Sequence, residues 1–173
     1  MPDPGMVQVY TGNGKGKTTA AVGLAARALG RGMTVLVVQF MKGGIEYGEV
    51  ASLRRLGAEV RQFGGPDFVD PHAPSPADRR MAAEAVQFAL REMYTGKYDV
   101  VILDEVNVAA AWGLIPVGDV LAVITDRPRH VELVLTGRYA PPEIVDAADL
   151  VTEMREVKHY YRRGEAAREG IER

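Results

Sequence analysis

Between Val7 and Leu29 a β-branched run, Val7–Thr11, is joined to a helical stretch, Lys17–Leu29, by the segment Gly12-Asn13-Gly14-Lys15-Gly16. So short a joint turns the helix back across its strand, and the next strand then runs parallel to the first. The rest of the chain repeats this alternation. Further strands are expected at Thr34–Phe40, Glu59–Phe63, Asp99–Leu103 and Val131–Leu135, with Leu150–Met154 as a sixth. Helices fit Tyr47–Leu56, Pro76–Met93, Val117–Thr125 and Glu143–Ala148. Several strands are apolar at successive positions, as they must be where helices cover both faces of a sheet.

Local signals mark the joints. The first helix stops at Gly30-Arg31-Gly32, where glycine takes the left-handed cap conformation. Ser75-Pro76 reads as an N-cap followed by proline at the first helical position. Gly64–Pro74, with two glycines and three prolines, reads as a long loop, and loops of that length in compact domains are often functional. The 173 residues suit one domain with a full hydrophobic core, and no repeat, low-complexity tract or linker divides them.

The joint after the first strand carries the chemistry. In Thr11-Gly12-Asn13-Gly14-Lys15-Gly16-Lys17-Thr18-Thr19 the glycines let backbone N–H groups curl around phosphate oxygens. The helix N-terminus adds free amides and a positive dipole, and Lys17 adds a full charge. Thr18 stands where a P-loop hydroxyl reaches Mg²⁺ (or Mn²⁺). One departure from G-x-x-x-x-G-K-[ST] is visible: the first glycine falls on Thr11 and arrives one residue late, at Gly12. The expected fold class is therefore α/β, a P-loop NTPase-like (RecA-like) parallel sheet of five or six strands with helices on both faces. ATP is the expected ligand.

Val100-Val101-Ile102-Leu103-Asp104-Glu105 is an apolar strand ending in two carboxylates. Ligands of parallel sheets collect beyond the carboxyl ends of strands, so this end faces the P-loop. Asp104 or Glu105 there holds Mg²⁺, directly or through water. An acid at that position also serves as an N-cap for the next segment of chain. Beside a P-loop, the metal role is preferred.

Composition removes other classes. A net charge of −2 argues against a large nucleic-acid footprint. The absence of cysteine excludes disulfides, iron–sulfur clusters and Cys-ligated zinc. Met1-Pro2-Asp3-Pro4-Gly5 has neither the basic nor the apolar region of a signal peptide, and no apolar run is long enough for a bilayer. A cytoplasmic location is expected.

The sequence resembles the corrinoid adenosyltransferases of the cob(I)alamin type over nearly the whole chain. The resemblance rests on the shifted loop with Ala20-Ala21 behind it and on Val38-Gln39-Phe40-Met41-Lys42-Gly43. It continues through Leu103-Asp104-Glu105, Thr136-Gly137-Arg138, Val157-Lys158-His159 and Gly170-Ile171-Glu172. It implies transfer of the 5′-deoxyadenosyl group of ATP to the Co(I) of a corrinoid, with release of tripolyphosphate. It further implies that Gly12 to Thr18 contact ATP, that Glu105 serves the metal and that Gly64–Pro74 lies over the corrinoid. A homodimer and a reductase supplying Co(I) are implied as partners. The resemblance implies an aromatic pair, Phe-x-Trp, that family members can carry to shield the lower face of the corrinoid; here Phe68 is present, but Asp70 takes the second aromatic position and the one tryptophan is Trp112.

The residues expected to act are thus Lys17, Glu105 and Phe68 in catalysis, and Thr18, Asp104 and Glu105 toward metal. Thr11, Gly12, Asn13, Gly14, Lys15, Gly16, Lys17, Thr18 and Thr19 are expected to bind ATP, together with Arg138, just past a strand end. Lys42 is similarly placed, with its role open. Arg162 and Arg163 either contact phosphate or corrinoid amides or lie on a solvated surface. Of His72, His130 and His159, the last is the best functional candidate, and zinc is not expected. The competing readings are a P-loop kinase, which needs a base and an arginine-rich lid, and a nucleotide-dependent switch.

Overall fold

The computed structural model describes residues 4–44 and 47–172. Six strands, β1 (Val7–Thr11), β2 (Val35–Phe40), β3 (Glu59–Phe63), β4 (Val100–Asp104), β5 (Glu132–Thr136) and β6 (Leu150–Glu153), form one sheet. Their order is β3-β2-β4-β5-β1-β6, and every neighbouring pair is parallel. Chain order and sheet order part company after β3: β4 returns to pair with β2, and β1 enters beyond β5. The strand leading into the glycine loop and the strand ending in acids are thereby one strand apart.

Strand period decides which helix covers which residue. Val35, Val37, Val60, Val100, Ile102 and Val134 point to the face covered by α1 (Lys17–Leu29) and α2 (Gly48–Arg55). Leu36, Val38, Phe40, Val101, Leu103, Leu133 and Leu135 point to the other. There they meet α3 (Pro76–Met93), α4 (Val106–Ala111), α5 (Val117–Asp126) and α6 (Pro142–Asp146). Both faces being covered, β2 and β4 are buried at every position and need no polar alternation. Edge strand β6 is exposed along its whole length.

Two local expectations change. Helix α4 has no counterpart among the expected helices, because it opens directly after β4 with Glu105 at φ 65 and no side-chain cap to announce it. At the end of α1 it is Gly32, at φ 78, that takes the left-handed conformation, while Gly30 stays helical. The Ser75 cap is as expected: its Oγ accepts from the Asp78 N–H at 3.1 Å, and the Asp78 carboxylate accepts from the Ser75 N–H at 2.9 Å. The Gly64–Pro74 stretch contains no helix or strand.

Leu133, wholly buried on β5 between the acid-bearing and glycine-loop strands, tests the core. Leu133→Ala should cost about 2–5 kcal/mol, read as a lower urea midpoint at unchanged m-value.

Candidate active site

The glycine loop lies at the carboxyl end of β1, and its glycines have two separate reasons. Gly12 and Gly16 sit at φ 92 and 117, where a side chain is strained. Gly12 and Gly14 also lie under the chain leaving β6. A Cβ on either would come within 2.5 and 2.7 Å of the Met154 carbonyl oxygen. The Gly14 N–H donates to that oxygen at 2.6 Å, and the Met154 N–H donates to the Thr11 carbonyl at 2.8 Å. The late glycine has its own explanation. The Thr11 Oγ1 accepts the Ala140 N–H at 3.2 Å, fastening the segment after β5 to the loop, which glycine could not do.

Lys17 is buried and folds onto its own loop, donating from Nζ to the Gly14 carbonyl at 2.6 Å. Burial, and after it the Arg138 charge, push its ammonium below the ordinary lysine range, against an opposing pull from Glu105. Lys15 reaches the other way, to the Ile171 carbonyl at 3.3 Å. Asn13 and Thr19 are exposed, as is Arg138.

Asp104, only 1% exposed, accepts four donors. Its Oδ1 takes the hydroxyls of Thr18 at 2.9 Å and Thr136 at 2.7 Å. Its Oδ2 takes Lys42 Nζ at 2.7 Å and Gln39 Nε2 at 3.2 Å. Burial alone would raise its pKa, but the Lys42 charge and the hydrogen bonds from Lys42, Thr136 and Thr18 together hold it below the usual carboxylate range. Glu105 differs. Burial, then the charge of Asp104, push its carboxyl above the ordinary glutamate value. Its backbone is in the left-handed region at φ 65, with its N–H donating to the Thr136 hydroxyl at 3.1 Å. A non-glycine residue held there reflects local strain, which gathers at functional sites. Neither acid caps α4: Glu105 is the N-cap residue but its side chain makes no cap bond. The capping alternative is thereby set aside.

The oxygens at and beside Asp104 are of the kind a hard divalent cation takes. The Thr18 hydroxyl and the two carboxylates would offer it oxygen, and Gln39 Oε1, though buried, accepts no hydrogen bond. It borders a small, largely apolar cavity of about 10 Å³ that Ala21, Val37, Leu53 and Ile102 line together with Thr18 and Asp104, and which is itself no place for an ion. Among the described residues no group of three His, Cys, Asp or Glu side chains could hold a metal. Mg²⁺ typically takes one or two carboxylates and completes its shell with water and substrate phosphates, so the set fits an ion shared with a nucleotide.

The loops around the site are tightly joined. A Cβ on Gly43 would collide with the Gly64 carbonyl oxygen, and the Lys42 N–H donates to the Phe63 carbonyl at 3.2 Å. The chain at Lys42–Gly43 therefore packs directly against the start of the Gly64–Pro74 loop. Phe68 is fully exposed, whereas its neighbour Val69 packs on the core. The Asp70 carboxylate faces solvent and accepts the His72 N–H at 2.9 Å. His159 Nδ1 accepts the Tyr161 N–H at 3.1 Å, capping the 3-10 turn Tyr160–Arg163, and Arg162 pairs with Glu156 at 2.5 Å. Those two have structural partners of their own. Gln39, Lys42 and Thr136 close the Asp104 network, a role that their place in the sequence does not announce. The available signal is a polar residue at or next to the carboxyl end of an apolar run, Gln39 in VLVVQF and Thr136 after the Leu133–Leu135 run of ELVLT.

Residues 3–173 match the family model described as ATP:corrinoid adenosyltransferase BtuR/CobO/CobP. The chain is similar to the corrinoid adenosyltransferase of Pseudomonas aeruginosa, 41% identical over 97% of this chain and 83% of that one. It is similar also to corrinoid adenosyltransferase CobA of Salmonella typhimurium, 39% identical over 97% and 85%. A corrinoid adenosyltransferase of Sinorhizobium sp is 36% identical over 98% and 81%.

The raised pKa of Glu105 has a consequence for stability. The folded protein holds that proton more tightly than the unfolded chain, so the contribution is favourable at low pH and lost as pH rises through the raised value. Glu105→Gln should therefore melt higher than wild type at neutral pH, with the gap closing toward about pH 4. Calorimetry at the two pH values checks this; equal melting temperatures at neutral pH would mean that ionised Glu105 costs the fold nothing.

Proposed function

The chain belongs to the ATP:corrinoid adenosyltransferase family, and on that premise we propose how its residues carry the reaction. It is a transferase that moves the adenosyl group of ATP to the Co(I) centre of a corrinoid; phosphoryl transfer is not favoured. The cobalt supplies the electron pair, a Co–C5′ bond forms, the C5′–O bond breaks, and the whole triphosphate departs as tripolyphosphate. Charge develops on that leaving group, so stabilisation belongs at the phosphates rather than at an acceptor hydroxyl.

In this reading Thr11 to Thr19 cradle the triphosphate. Lys17 gives up the Gly14 carbonyl for phosphate oxygen, a short movement for an ammonium already in the loop. Arg138, whose charge is felt by both Lys17 and Glu105, reaches the same chain of phosphates. Thr18, Asp104 and Glu105 hold Mg²⁺ (or Mn²⁺), which when bound offsets the charge of the leaving group. The observation that carries the reading is the Thr18–Asp104 hydrogen bond of 2.9 Å across the sheet, which puts the loop hydroxyl and the strand-end acid at one point. Co(I) has no proton to lose, so Glu105 acts toward the metal and not as a base.

The exposed ring of Phe68 supplies an apolar surface for the corrin, lowering access of water to the cobalt's axial position. Asp70 is engaged with His72 and faces solvent, which is compatible with a neighbour that packs on the corrin. We place residues 1–173 in one nucleotide-binding adenosyltransferase domain. A homodimer, a cytoplasmic location and a reductase delivering Co(I) complete the proposal, on the strength of the family likeness.

Phosphorus NMR of the products tests the reaction: tripolyphosphate is expected, and ADP would overturn it. Lys17→Ala should weaken MgATP binding in calorimetry and lower turnover on the order of a hundredfold or more. Phe68→Ala should slow adenosylation sharply when the enzyme starts from cob(II)alamin and a reductant, and far less when Co(I) is supplied ready-made. Equal losses in the two assays would reduce Phe68 to a packing or binding contact.

A further inference from the structure

A buried carboxylate needs a compensating charge, and Lys42 provides it for Asp104. Its Nζ lies 2.7 Å from Asp104 Oδ2, 3.9 Å from Glu49 Oε1 and 5.2 Å from the centre of the Tyr47 ring. The ammonium thus stands on the oxygen that a divalent ion at Asp104 would seek. Around the site three cations, Lys17, Lys42 and Arg138, face three carboxylates, Glu49, Asp104 and Glu105. Counted as ionised, these six side chains sum to zero. A bare divalent ion would have to displace Lys42 from Oδ2 and would leave two positive charges in excess. A nucleotide triphosphate reverses that, because its phosphates supply the anionic oxygens that ion and ammonium both need.

From this geometry we propose that Lys42 is a resident cation that keeps divalent metal off Asp104 until the nucleotide arrives, so that metal enters as its nucleotide complex. The inference rests on the metal site proposed above at Thr18, Asp104 and Glu105. The backbone defines how the exchange proceeds. The Lys42 N–H donates to the Phe63 carbonyl at 3.2 Å and Gly43 lies close against Gly64, so the main chain is held at Lys42 and just beyond it. Release of Asp104 is then a swing of the lysine side chain rather than a loop movement. Glu49 and the Tyr47 ring, already within reach, receive the ammonium when it leaves. Lys42 is in this sense a positioning residue, acting on the order in which ligands bind.

The test uses Mn²⁺ as the probe, followed by electron paramagnetic resonance on the full chain without corrinoid. Nucleotide-free wild type should bind Mn²⁺ weakly. Lys42→Gln keeps an amide donor for Asp104 but removes the charge, and should bind Mn²⁺ about tenfold tighter or more, a modest share of the repulsion expected between charges at this separation. Lys42→Arg, which keeps the charge, should behave as wild type. Added Mn²⁺ should raise the melting temperature of Lys42→Gln but not that of wild type, a readout that also shows the variant to be folded. With ATP present the difference between variants should shrink. Equal nucleotide-free Mn²⁺ affinity for folded Lys42→Gln and wild type overturns the inference. The underlying metal site is checked separately: Glu105→Gln should weaken Mn²⁺ binding in the presence of ATP, and no change there overturns that site instead.

Discussion

Asp104 is a single carboxylate to which four segments of the fold are tied. Thr18 comes from the first turn of α1, Gln39 from the end of β2, Lys42 from the loop beyond it and Thr136 from the end of β5. Each sits at the carboxyl end of a strand or just past it, which is where a parallel sheet delivers its loops. Because the carboxylate is buried, each donor offsets desolvation that would otherwise favour its protonated form. Removing a donor therefore does more than break one bond: it leaves charge uncompensated in the interior, where the cost is highest. The same arrangement fixes the distance between the glycine loop and the acidic strand end, so the geometry of the site derives from the electrostatics of one residue.

A second constraint comes from the sheet edge. β6 pairs with β1 and then carries Met154 across the top of the glycine loop. That crossing requires two backbones to approach where a Cβ would collide, and it explains glycine at positions 12 and 14 without reference to any ligand. Phosphate binding also wants glycine there, so one residue type answers two demands. Thr11 shows the other side of the arrangement. Its hydroxyl holds the Ala140 N–H, and the first glycine of the loop is accordingly displaced by one position.

Much of this is legible in the sequence, and the parts that are not share a cause. β1, β3, α1 and α3 stand at the expected residues because hydrophobic period, a proline after a serine cap and glycine joints each act locally. The P-loop and the acidic strand end are readable for the same reason. Helix α4 is hidden because its start depends on Glu105 adopting a left-handed conformation that the Thr136 hydroxyl supports from 31 residues away. The Asp104 network is hidden because its members meet only once the strand order places β4 between β2 and β5. Nothing in a linear reading distinguishes a glutamine that fills a strand end from one that holds a carboxylate. Long-range register makes that distinction.

The contrast between Asp104 and Glu105 bears on why adjacent acids behave differently. Asp104 faces into the sheet, where the chain itself supplies donors to both oxygens, and it is held ionised. Glu105, one residue on, has a left-handed backbone and a carboxyl pushed upward by burial and by its neighbour's charge. One acid takes four hydrogen-bond donors from the protein; for the other, the charges of Lys42, Lys17 and Arg138 only partly oppose the upward push of burial and of Asp104. A fold selected only for stability would replace the second with a neutral side chain. Its presence beside a phosphate loop makes sense if a cation and a polyphosphate arrive together and supply what the fold withholds. Alkyl transfer to a proton-free nucleophile asks for nothing further from a carboxylate, since the reaction displaces charge toward the phosphates and moves no proton at the acceptor.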